Sequence, residues 1–261
     1  MAVINRTPDS FYDGGATFGF GAALAAADLA VSAGAEIVDI GGVKAGPGDE
    51  VTAGQEIDRV AGLVAAVRER HADVVISVDT WRAEVGDAVA ALGADLLNDT
   101  WGGPDPELAG VAAAHQIGLV CSHAGSMAPR TGPHRPAYAD VVADVITVVT
   151  ALAERAVAAG VRPDAILIDP AHDFGKTSWH SLELTRRLGE LAATGWPVLA
   201  ALSNKDFVGE SLGLPIAERG EATMAALAIS AWQGARVFRV HDARAASQAL
   251  AVVRAIRAAV S

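Results

Sequence analysis

Eight short apolar runs punctuate the chain, each ending in a small polar cluster and each followed by an alanine-rich stretch with helical spacing. They predict strands at Ala2–Asn5, Ala35–Ile40, Val74–Asp79, Asp95–Asn98, Gly118–Ser122, Ala165–Asp169, Val198–Ser203 and Ala235–Val240. Among the intervening helices, Glu56–Arg70 carries Ile57, Val60, Leu63, Val64 and Val67 on one stripe, with Arg59, Arg68 and Glu69 off it. The longest helix is expected from Asp140 to Ala159, with Gly160 closing it. Strand and helix alternating in this way predict an α/β fold, a single (β/α)8 TIM barrel spanning residues 1–261 as one domain.

The polar clusters then gain a common position. Asn5, Asp39, Asp79, Asn98, His123, Asp169, Lys205, Arg239 and His241 all lie at or just past a strand's C-terminal end, the face on which such barrels bind ligands. Two loops on that face, Thr7–Gly21 and Gly41–Gly54, are glycine-rich with little apolar content and read as functional.

Composition narrows the classes. About half the residues are hydrophobic, yet no apolar run reaches the roughly 18–20 residues of a membrane span. The start of the chain has no basic segment followed by an apolar one, which predicts a cytoplasmic protein. The lone Cys121 forms no internal disulfide and fits strand five as a small apolar residue. A net charge of −11 speaks against nucleic acid as a partner, so any anionic ligand must be held by local cations.

Asp79, Asn98 and Asp169 offer acceptors and donors suited to a flat heterocycle with amide-like and amine-like edges. Each also suits the capping of the following helix, but three in separate turns with Lys205 opposite point to a ligand. Lys205, Arg239 and His241, at the last two strand ends, form a candidate anion site. The triplet Asp173–Phe174–Gly175 lacks the other kinase motifs, and His123, His172 and His180 match no zinc spacing.

Taken in order, these strand ends resemble dihydropteroate synthase across nearly the whole chain. The matches are Asn5 with Thr7–Pro8–Asp9–Ser10–Phe11 and Asp13–Gly14–Gly15, Asp39–Ile40–Gly41–Gly42, Ser77–Val78–Asp79–Thr80, Asn98–Asp99, Asp169–Pro170 with Phe174–Gly175–Lys176, Ser203 with Lys205, and Arg239–Val240–His241–Asp242. The resemblance implies condensation of hydroxymethyl-dihydropterin pyrophosphate with para-aminobenzoate. It implies that Asp79, Asn98, Asp169 and Lys205 bind the pterin, and that Asn5, Arg239 and His241 hold the pyrophosphate with Mg2+ on Asn5. Lys205, Arg239 and His241 would be the catalytic residues, and Phe174, Ser203 and Lys44 would face the arylamine. It also implies a homodimer, with Met224, Leu227 and Ile229 as candidate contacts.

The departures cluster where the second substrate is handled. The family's Glu-Ser-Thr-Arg before Pro-Gly is Val43–Lys44–Ala45–Gly46 here, and its Ser-Arg-Lys is Ser203–Asn204–Lys205. Arg6 follows Asn5 in the first loop, glycines of the sixth loop become Ala171 and Asp173, and a glycine near the pterin becomes Ala201. The chain resembles a divergent second paralogue that keeps the pterin and phosphate floor and has a rebuilt amine wall. Two other classes fit: a non-catalytic pterin-binding protein, and a pterin-dependent methyltransferase barrel, against which Lys205 and Arg239–Val240–His241 speak.

Overall fold

The computed structural model describes residues 1–7, 15–131 and 136–259, so Pro8–Asp9–Ser10–Phe11 and Asp13–Gly14 of the first-loop motif lie outside the described residues. Eight strands form: β1 (Ala2–Asn5), β2 (Ile37–Gly41), β3 (Val75–Asp79), β4 (Leu96–Asp99), β5 (Gly118–Ser122), β6 (Ile166–Asp169), β7 (Leu199–Ala201) and β8 (Val237–Arg239). The helices are α1 (Phe20–Ser32), α2 (Ala53–Arg70), α3 (Ala83–Ala90), α4 (Leu108–Ala114), α5 (Val141–Ala158), α6 (Ser178–Arg186), α7 (Leu188–Ala192), α8 (Asp206–Leu212), α9 (Gly220–Trp232) and α10 (Ala243–Ala258).

The strands run parallel, β1 to β6 as one ladder and β7–β8 as another. Single bridges, Ile168 to Val198 and Ala2 to Val240, join the two ladders into a closed barrel. At the second seam Val3 N–H donates to the Val240 carbonyl at 3.1 Å and Val240 N–H to that of Met1 at 3.0 Å. The (β/α)8 expectation holds.

Alternation along each strand separates two cores. In β3, Ile76 and Val78 are buried among Val60, Leu63 and Val64 of α2, while Ser77 and Asp79 turn to the barrel interior. The interior's apolar part is small, with Leu96, Val120, Leu199 and Ala201 packed together and Leu167 and Val237 against them. The polar strand ends lie on that inner face.

Local chemistry sets the helix starts. Thr52 and Gln55 form a capping box, so α2 starts at Ala53, a turn ahead of the expected Glu56 and inside the segment read as loop. Asp140, expected as the first residue of the longest helix, is instead its N-cap and accepts from Val142 and Ala143 N–H. Among the described residues no helix is long and apolar enough to cross a membrane.

Candidate functional site

The centre of the barrel mouth is a charged lattice. Asp39, fully buried in β2, accepts from Ser77 Oγ at 2.6 Å and from Arg239 Nε at 2.6 Å. The other arm of Arg239 reaches Asp79 at 3.0 Å, and Thr100 donates to the second Asp79 oxygen at 2.6 Å. Asn98 Nδ2 lies 3.3 and 3.4 Å from the Asp39 oxygens. Burial pushes the Asp79 carboxyl up to about 7 despite Arg239, with Asp39 adding to the rise. Arg239 is half-buried, and although desolvation works against its charge, Asp39 and Asp79 hold it above the usual arginine range. Among the described residues, buried Asn98 Oδ1 and Ser122 Oγ have no hydrogen-bond partner.

Opposite this lattice stands the β6–α6 turn. Asp169 Oδ1 accepts from Ala171 N–H at 2.7 Å, and burial raises its pKa against the pull of Lys205. Lys205 donates to the His172 carbonyl at 2.5 Å, and its ammonium lies 5.1 Å from the Phe174 ring centre. Burial lowers the Lys205 pKa, opposed by Asp169 and Asp173. Phe174 packs edge-on against Trp101, which packs edge-on against Trp81, so an aromatic row borders the mouth from β3 to β6.

The turn itself is strained. Ala171 and Asp173, where the resemblance expects glycine, have φ of +49° and +68°. A residue with a Cβ resists that region by about 1–2 kcal/mol. Ala171→Gly is therefore expected to raise unfolding stability by about 0.5–1 kcal/mol, the strain relieved less the added freedom of the unfolded chain. Urea denaturation checks this, and a destabilised variant would show that packing of the buried methyl outweighs the strain.

At the anion end, His241 Nδ1 pairs with Ser203 Oγ at 2.8 Å. Asn5 lies on the same rim: a methyl group built on Gly41 would meet Asn5 Oδ1 at 3.6 Å and Asp79 Cβ at 3.7 Å. Asn204 has φ +58° and is buried, its N–H donating to Thr223 Oγ1 and its carbonyl accepting from Arg219. The β2–α2 loop is held at four carbonyls by three arginines. Arg59 binds Gly42 at 2.8 Å, Arg130 binds Gly46 and Asp49 at 3.4 and 2.5 Å, and Arg82 binds Val51 at 2.7 Å. Lys44 is half-buried on this loop.

The structure thus brings Asp79, Asn98 and Arg239 into one lattice, and Lys205 against the turn that carries Asp169 and Phe174. His241 and Ser203 pair with each other. Arg239, expected at an anion site, is ion-paired with both Asp39 and Asp79. Leu227 is buried in the hydrophobic core, which removes it from the candidate dimer contacts, whereas Ile229 and Trp232 are exposed. His123 faces Asp144 and Lys176, an arrangement the histidine spacing did not show. Asp39, named only as a strand end, is the hub of the lattice.

Residues 1–241 match the family described as pterin binding enzyme. The chain is 55% identical to Inactive dihydropteroate synthase 2 of Mycobacterium leprae, over 98% of this chain and 90% of that protein. The dihydropteroate synthase of Yersinia pestis, solved with a sulfonamide drug complex, superposes with TM-score 0.93 at 37% identity, covering 99% of this chain and 93% of that one. That of Xanthomonas albilineans, in complex with 7,8-dihydropteroate, superposes with TM-score 0.86 at 33% identity, covering 99% and 93%.

Proposed function

The chain belongs to the pterin-binding enzyme family, and from that premise we propose that it binds a dihydropterin diphosphate ester on the inner floor of the barrel and has lost efficient condensation with para-aminobenzoate. The observation that carries the reading is the pair of buried, unpartnered oxygens, Asn98 Oδ1 and Ser122 Oγ, beside Asp79 and Asp169. A buried acceptor without a donor costs about 1–3 kcal/mol, and the N–H edge of a flat heterocycle removes that cost. The relative in Mycobacterium leprae bears the word inactive in its name, in keeping with a lost amine wall.

In this reading Asp79, Asn98, Asp169 and Lys205 fix the ring, and Arg239, His241 and Asn5 receive the diphosphate. As the pterin methylene C–O bond lengthens, negative charge grows on the departing oxygens, where Arg239 and His241 act. Capture of the methylene carbon needs an oriented amine, and Phe174, Ser203 and Lys44 are what remains to orient it. Lys44 offers charge without the planar fork of an arginine. Among the described residues no three His, Cys, Asp or Glu cluster to hold a metal. Mg2+ takes one or two protein oxygens and completes its shell with phosphate and water. Asn5 would be its protein donor, and the ion would neutralise charge on the diphosphate.

We also read the exposed apolar residues Ile229 and Trp232 of α9 and Val252 and Ile256 of α10 as the contact surface of a homodimer. A pterin-dependent methyltransferase is disfavoured by Lys205 and the Arg239–His241 pair.

The test is calorimetric titration with hydroxymethyl-dihydropterin pyrophosphate. Asp169→Asn keeps an acceptor for Ala171 N–H but loses the charge, so affinity is expected to fall roughly 10- to 100-fold with the barrel still folded. Unchanged affinity overturns the reading. Collapse of the melting transition instead assigns Asp169 to holding the turn.

A further inference from the structure

Lys176 ends the Phe174–Gly175–Lys176 motif and, at 6% exposure, lies beneath the β6–α6 turn. Its Nζ is 2.9 Å from His123 Nδ1, 2.9 Å from the His123 carbonyl, 3.2 Å from that of Ala171 and 2.8 Å from that of Phe174. His123 Nε2 is 2.8 Å from Asp144 on α5, so the imidazole donates there and accepts from the lysine. Two of the four contacts clasp the carbonyls of a turn in which Ala171, Asp173 and Gly175 all have positive φ. The turn is also pressed from outside: a methyl on Gly175 would meet the Ala124 carbonyl at 2.8 Å and Gly125 Cα at 2.9 Å, and Tyr138 Oη donates to the Gly175 carbonyl at 2.8 Å. A turn lacking two glycines keeps its shape only while something over-determines it.

We propose that Lys176, backed by His123 and Asp144, is the positioning residue that locks the strained β6–α6 turn and thereby aims Phe174 at the second-ligand side of the mouth. That Phe174 faces the second ligand rests on the function proposed above. That the turn depends on Lys176 does not, and the latter is tested without ligand.

The charged and titratable groups around Lys176 are His123 just after β5, Asp144 of α5, Asp169, His172 and Asp173 of β6 and its turn, and Lys205 after β7. Burial, with Lys205 adding to it, holds the ammonium down to about 7 against the three carboxylates. An opened turn returns the amine to the ordinary lysine range near 10.4. The open form then binds the proton more tightly, so the closed turn gains stability as pH rises above about 7, by at most roughly tenfold per pH unit for one proton.

Hydrogen exchange of the peptide from Asp169 to Thr177, corrected for intrinsic rates, is measured in ligand-free protein between pH 6 and 9. Wild-type protection should rise above pH 7. Lys176→Met should raise exchange there roughly tenfold or more and flatten the pH profile, with β1–β4 protection unchanged. Should that variant fail to fold, Asp144→Asn, altering a half-exposed carboxylate, should show a smaller rise confined to the same peptide. No local rise, a rise shared by the whole barrel, or a pH profile equal in wild type and Lys176→Met overturns the proposal.

Discussion

Arg239→Ala is expected to cost the fold about 3–5 kcal/mol and to abolish diphosphate binding, because it leaves two carboxylates facing each other in the barrel interior without their shared cation. Asp39 is fully buried, and Asp79 already has its carboxyl pushed up to about 7 with the guanidinium in place. Without it the Asp79 value rises further. A carboxyl whose folded pKa exceeds its unfolded value, about 3.9, binds its proton more tightly when folded, so stability is full below about pH 4 and falls as pH rises through the folded value. The deficit should be small near pH 4 and largest above pH 7. Urea denaturation of variant and wild type across that range checks the sign, and a deficit independent of pH would show that Asp79 does not set it. Arg239→Lys should recover part of the stability but little of the binding, since an ammonium cannot span both carboxylates as the planar fork does.

Restoring the amine wall should raise dihydropteroate formation by roughly one to two powers of ten for each charged hydrogen bond regained in the transition state, about 1.5–3 kcal/mol apiece. The variant joins Lys44→Ser, Ala45→Thr and Gly46→Arg to Asn204→Arg. A side chain fits at Gly46, where a Cβ would meet only Lys44 Cε at 3.8 Å, and that lysine is itself replaced. Position 204 is harder, since its left-handed backbone tolerates asparagine better than arginine by about 1 kcal/mol. The loop changes alone should therefore fold well, and the combined variant should gain more than the sum of the two sets because both face one substrate. Pyrophosphate release with para-aminobenzoate is the measurement. Weak binding of the pterin pyrophosphate by that variant would shift the cause to Ala201, which sits 6% exposed in the inner apolar cluster, whereas normal binding with no detectable product would overturn the amine-wall explanation.

The eight strands of the described residues were legible in the chain because each lies in a short apolar run that meets a polar cluster, as at Val75–Asp79. The shared placement of Asp79, Asn98 and Asp169 at strand ends was legible in the same way. What the sequence hid depends on distant partners. Arg239 and Asp39 are 200 positions apart, and nothing in either neighbourhood announces the pairing. Lys176 looks like a surface lysine after a glycine until the turn folds over it, and Asp144 looks like an ordinary acid in the first turn of α5. In α9, alanine and larger apolar residues surround the helix, so periodicity does not choose a face and the core role of Leu227 was out of reach. The departures at Ala171 and Asp173 were visible, but the left-handed backbone that makes them costly was not.

The barrel's two single-bridge joints, between β6 and β7 and between β8 and β1, divide it into a six-stranded wall and a two-stranded panel. Asp169 stands on the wall and Lys205 just beyond the panel's first strand. Arg239 on the panel reaches Asp39 and Asp79 on the wall across the other joint. A molecule lying against all of them works as a rivet through both joints, so occupancy would be written into the breathing of the barrel: exchange at Ile168, Val198, Ala2 and Val240 should slow on binding before any distant amide responds.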